Sequence, residues 1–162
     1  MPSAAPLDVV FFELRGLRCA LPLGVVRKVL PMPPLTMVPL APNVVRGIAP
    51  MQGWILPVLD LSVCFQAPSD EAMPTSSLSP AKDKLLLVET PPDASHESVR
   101  AALAVERVIN IGTVDEQHSR PPPPRPTFLS ATVLDASGPA LLLDIDRTID
   151  FVRDAISAVI GP

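Results

Sequence analysis

The chain has no tyrosine, one tryptophan and five phenylalanines, so aromatic side chains make up only 4% of it. Its core must therefore be built from Val, Leu and Ile. Glycine is scarce as well. Gly16, Gly24, Gly47, Gly53, Gly112, Gly138 and Gly161 are spread along the sequence. That spacing excludes a Walker loop, a dinucleotide fingerprint and a nucleophile elbow in their usual forms. The two histidines, His96 and His118, and the two cysteines, Cys19 and Cys64, stand at unrelated positions. No HExxH occurs, so neither a metal site nor a cofactor is expected.

Basic runs are missing too. The net charge is −4, and Lys and Arg are scattered. Phosphate backbones need a concentrated basic face, so nucleic acid is not an expected partner. The same scatter argues against a polybasic membrane anchor. No apolar run approaches the ~20 residues of a spanning helix, so no direct membrane insertion is expected. Met1 to Pro6 has neither a basic n-region nor an apolar h-region. Cys19 and Cys64 each sit in an apolar run and read as reduced, packed thiols. The cytoplasm is the expected address.

What the sequence does have is proline, 22 residues of it, and short aliphatic runs. Proline fixes φ and removes a donor, so long regular helices are not expected where prolines cluster. Val9 to Leu14 reads as a strand, Arg15-Gly16 as a turn and Leu17 to Leu23 as the returning strand. Val25, Val26, Val29 and Leu30 follow helical spacing, which predicts a short helix ended by Pro31. A proline-rich extended stretch follows. Val44 to Met51 and Trp54 to Leu61 then form a hairpin about Gln52-Gly53. Pro57 places the latter strand at an edge or a corner. Residues 66–83 are rich in Pro, Ser and Ala and read as a flexible loop dispensable for folding.

The second half restarts at Lys84 to Glu89. Arg100 to Ile111 continues as strand and then a helical turn, before a proline segment at Ser119 to Thr127. Arg120 to Pro126 reads R-P-P-P-P-R-P, either a stiff connector or a polyproline ligand. Phe128 to Leu134 and Ala140 to Ile145 form a hairpin about Ser137-Gly138. Ile149, Val152, Ile156 and Val159 then share one face of a C-terminal helix over 146–160.

The order of elements repeats between the halves. The closing strands L-P-V-L-D-L at Leu56 to Leu61 and A-L-L-L-D-I at Ala140 to Ile145 look alike. This predicts a mainly all-β protein of two small packed β-barrels. One barrel is expected mainly over 9–65 and the other mainly over 84–145, intertwined within a single domain over 1–162. Asp60 and Asp144 are the plausible carboxylates for acid-base work, with Asp146 nearby. An Asp closing a strand more often caps the turn or helix that follows. Trp54, beside a turn, is either a binding anchor or a cap over the core.

Several segments, in order, resemble the chemotaxis coupling proteins of the CheW type. They are Val26-Arg27-Lys28-Val29, Thr36-Met37-Val38-Pro39-Leu40-Ala41-Pro42 and Gly47 to Gly53 in the first half, closed by Pro57-Val58-Leu59-Asp60-Leu61. Leu86 to Glu89, Leu103 to Val108, Pro121 to Pro124, Phe128 to Ala131 and Leu142 to Ile145 extend the likeness through the second half. The resemblance implies two SH3-like five-stranded barrels with short helices and a C-terminal helix. It also implies a non-catalytic adaptor recruited to receptor arrays. Its partners would be the cytoplasmic tip of a methyl-accepting chemoreceptor and the regulatory domain of a CheA-type histidine kinase.

By this resemblance Val26, Lys28, Gln52, Val105 and Val108 face the receptor, and Val38, Val44, Val45, Arg46 and Gly47 face the kinase. Lys28 stands where the family has an acid. Pro50 and Gln52 stand where it has Asn and Arg, and Ala131 replaces a Gly. An accessory homologue that binds a receptor without the kinase is the nearest alternative, and an unrelated β-barrel interaction module the next.

Overall fold

A computed structural model describes residues 6–65, 84–92, 94 and 97–160. The loop expected over 66–83 lies outside them. Ten strands are described: β1 (Leu7–Leu14), β2 (Leu17–Pro22), β3 (Val26–Pro31), β4 (Val45–Met51), β5 (Trp54–Leu59), β6 (Lys84–Glu89), β7 (Arg100–Val105), β8 (Arg107–Val114), β9 (Leu129–Asp135) and β10 (Gly138–Leu143). Helix α1 (Ile145–Ile160) closes the chain.

The strands form two five-stranded sheets, ordered β8-β1-β2-β10-β9 and β3-β6-β7-β5-β4. In each, three antiparallel pairings accompany one parallel pairing, β2 with β10 and β7 with β5. The mainly β, twin-barrel fold expected from the sequence is the observed one. The halves 9–65 and 84–145 match the repeat but not the sheets. Each sheet takes the first hairpin of one half and the last three strands of the other, so the halves exchange strands reciprocally.

The alternation of side chains explains the long apolar runs. Along β7, Ala101, Leu103 and Val105 join a central core between the sheets, while Ala102 and Ala104 fill the interior of their own sheet. On β1, Val9 and Phe11 likewise point into the interior of their own sheet, and Phe12 and Leu14 into the central core. A strand buried on both faces reads as continuous hydrophobic sequence rather than as an alternating one. Phe128 sits at the centre, edge-on to Phe65 and Phe151 with ring centroids 6.1 and 5.4 Å away. Helix α1 covers this core with Ile145, Ile149 and Val152, and Ile156 packs at its margin. Val159 stays half exposed.

Several expectations are corrected. The short helix over Val25 to Leu30 is a single 3-10 turn, Leu23–Val25, leading into strand β3. The β-branched residues there find a ladder on β6, and pairing outweighs helical spacing. The helical turn after Arg100 is likewise absent, because β8 is one strand from Arg107 to Val114, with a register shift at Ile109 against β1. Two of the three expected turns hold. Arg15-Gly16 and Gln52-Gly53 carry consecutive positive φ, the conformation that two-residue hairpins need. The third lies one residue earlier than the expected Ser137-Gly138, at Ala136-Ser137, with Asp135 and Gly138 paired across it. The edge expected from Pro57 is also corrected: β5 lies between β4 and β7, and Pro57 is tolerated because the parallel pairing to β7 begins only at Val58.

The closing carboxylates act as caps. Asp60 accepts from the Ser62 N–H at 3.1 Å, and Asp144 from the Arg147 N–H at 3.2 Å. Cys19 and Cys64 are free thiols. Burial pushes Cys19 up to about 12 and Cys64 to about 11, so both stay protonated at neutral pH.

Candidate functional site

Chain direction and turn geometry bring Lys28 and Gln52 together. Lys28 is exposed on edge strand β3, while Gln52 sits at the tip of the β4–β5 hairpin with φ of 52°. The Lys28 Nζ donates to Gln52 Oε1 at 3.0 Å. The pair stands at the rim of a cleft of about 310 Å3, lined also by Arg27, Trp54, Leu87, Glu89 and Arg100. Arg27 and Arg100 converge on one oxygen of Glu89, at 3.2 and 3.4 Å. The Arg100 guanidinium lies over the Trp54 ring, 4.7 Å from its centroid. Trp54 is 56% exposed and Ile55 beside it 72%, so the tryptophan does not cap the core. A Ser98 hydrogen bond, with Arg100 and Arg27, holds the Glu89 carboxyl below its usual range.

The remaining residues expected to face a receptor differ in access. Val26 and Val108 are half buried on their edge strands and pack against the central core. Val105 is fully buried. It can support the surface above it but offers none itself. Sequence reasoning missed Arg27, Glu89 and Arg100 as members of the cleft, because they come from three strands. The aromatic at the turn was the available signal.

A family model for the CheW-like domain matches residues 8–153. The chain belongs to the CheW-like domain family. The scaffolding protein TtCheW from Thermoanaerobacter tengcongensis has a similar solved structure, with a TM-score of 0.64 at 22% identity. The match covers 86% of this chain and 90% of that one. A search of curated protein sequences finds no significant match.

A second surface of this CheW-like chain lies on the proline segment and β4. Thr36 and Ile48 exchange backbone hydrogen bonds at 2.9 Å, which lays the segment along the β4 edge. Gly47 permits this approach. A Cβ there would meet the Thr36 carbonyl oxygen at 2.7 Å. Of the residues expected to face a kinase, Val38 and Arg46 are exposed, Val45 is half buried, and Val44 and Gly47 are buried. Met37 and Leu40 are the most exposed apolar side chains of this ledge, at 81% and 87%.

The R-P-P-P-P-R-P segment is built into the protein. Arg120 exchanges backbone hydrogen bonds with Thr132, and Pro126 is buried. With both ends committed, it acts as a connector rather than a free ligand. It forms one wall of an apolar cleft of about 810 Å3 beside Phe65, Leu141 and Phe151. Among the described residues no group of three or more His, Cys, Asp or Glu is placed to hold a metal ion. No helix among them is long and apolar enough to cross a membrane.

Proposed function

We propose that this chain is a non-catalytic coupling adaptor of a chemosensory array. It would join the cytoplasmic tip of a methyl-accepting chemoreceptor to the regulatory domain of a CheA-type histidine kinase, in the cytoplasm. The observation that carries the reading is the CheW-like match over nearly the whole chain. Two separate exposed surfaces support it: the Lys28–Gln52–Trp54 cleft and the ledge of Met37, Val38, Leu40 and Arg46. An adaptor needs two faces open at once. Asp60 and Asp144, the carboxylates considered for acid-base work, cap the turn and the helix that follow them.

We assign the receptor to the cleft and the kinase to the ledge. Co-sedimentation of the chain with a receptor tip and a kinase regulatory domain tests this. A ternary complex is the expected result. Retention of the receptor alone would make the chain an accessory homologue, and retention of neither partner would overturn the reading.

A further inference from the structure

The cleft on the second sheet carries more positive charge than the described residues neutralise. Among the described residues, Arg27, Lys28 and Arg100 face a single carboxylate, Glu89. Both arginines use the same Glu89 oxygen, so several of their N–H donors remain available. Lys28 meets only the neutral Gln52 amide, and no carboxylate among the described residues pairs with it. This surplus sits on a chain whose net charge is −4. It is therefore a local feature, not a reflection of the whole.

The equivalent corner of the other sheet shows what balance looks like. Parallel pairing sets Ala20 beside Leu142 and Ala102 beside Val58, which makes Arg18 the counterpart of Arg100. Arg18 binds Asp135 through two nitrogens at 2.7 and 2.8 Å and lies over Phe11. The Arg18 charge is balanced there, and the larger cleft that Arg18 also lines is walled mostly by apolar residues. In the other corner Trp54, 56% exposed, stands where Gly138 begins the matching strand.

We propose that the Arg27–Lys28–Arg100 cleft takes a carboxylate side chain from an acidic segment of a partner protein, with Trp54 and Ile55 receiving an apolar neighbour of that carboxylate. Cleft volume and charge fit one such side chain. The exposed ring and Ile55 supply the apolar contact that makes a mixed site selective for protein over a free anion. The inference rests on the receptor reading in naming the receptor tip as the source of that segment.

Trp54 is the only tryptophan, so its emission reports on the cleft directly. The wild type and Lys28→Glu are titrated with the receptor tip at low and moderate salt. A helical peptide bearing Glu beside Leu, its Gln-for-Glu match and inorganic phosphate serve as further probes. The expected result is a changed Trp54 emission with the tip and with the Glu peptide. Binding should weaken about tenfold or more in Lys28→Glu, in the Gln peptide and with added salt.

Tip binding that leaves Trp54 emission unchanged and is indifferent to Lys28→Glu would overturn the cleft assignment while sparing the receptor reading. Response to the Glu peptide without binding of the tip would support the cleft chemistry and sink the receptor reading. Equal responses to the Glu and Gln peptides, or to phosphate alone, would overturn the inference.

Discussion

Arg18 and Arg100 occupy matching positions in two sheets of the same topology, yet their surroundings have diverged. Arg18 is 17% exposed and held by Asp135, while Arg100 is 37% exposed and shares Glu89 with Arg27. Phe11 fills the floor under Arg18, and Leu87, its counterpart beside Ala102, leaves a cleft under Arg100. One repeated scaffold thus yields a corner that serves the fold and a corner free to serve a partner. A bidentate pair offsets its own desolvation cost and leaves little charge for a partner. An unbalanced one contributes little to stability but retains its capacity to bind.

The comparison presumes that the two sheets fold as one unit, and Phe128 tests that most severely. It is fully buried in the core they share. Phe128→Ala should cost about 3–5 kcal/mol, the usual scale for emptying a core phenylalanine site. Urea unfolding should show one transition, shifted to lower urea by the substitution. Two separate transitions would mean that the corners belong to independent units.

The next test concerns binding. The double substitution Lys28→Glu, Gln52→Arg restores the charges of the resembled family. It converts a lysine–amide hydrogen bond into an internal ion pair and removes the free positive charge from the rim. Receptor binding should weaken by about 1–3 kcal/mol if the contact is desolvated, with the fold unchanged. Calorimetric titration at two salt concentrations measures it, and equal affinities at both would place the receptor elsewhere.

A smaller effect separates the corners directly. Arg18→Ala should lower stability by about 1–2 kcal/mol, through two charge-assisted hydrogen bonds and the stacking on Phe11. Arg100→Ala should change stability by less than about 0.5 kcal/mol, as exposed pairs do, and should weaken receptor binding instead. Thermal melts with parallel binding assays would reveal the crossed pattern. Equal stability losses would erase the distinction.

The smallest effect is the pH dependence of the Arg18 corner. The Arg18 hydrogen bond holds the Asp135 carboxyl below the usual aspartate range. A depressed folded pKa contributes stability above the unfolded value, about 3.9, and loses it as pH falls through the folded value. Asp135→Asn should therefore be less stable than wild type by about 1 kcal/mol near pH 6. The two stability curves should converge at acid pH, and a gap constant across that range would assign the loss to packing.

Much of this fold was legible in residue order. Alternation, turn glycines and the twin L-P-V-L-D-L and A-L-L-L-D-I strands revealed the repeat and both capping aspartates, because those signals act within a few residues. The Val25 to Leu30 segment misled, since a β-branched run can satisfy either period until a partner strand is present. Lys28 and Gln52 were legible as a pair only through resemblance. Arg27, Glu89 and Arg100 carried no local mark of their common site.

The sequence by itself determined that the protein is mostly β, repeated, proline-stiffened and without a recognisable catalytic motif, for these follow from composition and short-range pattern. Only the tertiary structure decided which hairpin joins which sheet. That exchange set β3 against β6 and placed the β4–β5 turn across the end of both. The charge surplus arises there because electrostatic balance depends on distance in space, and strands far apart in the chain supply it.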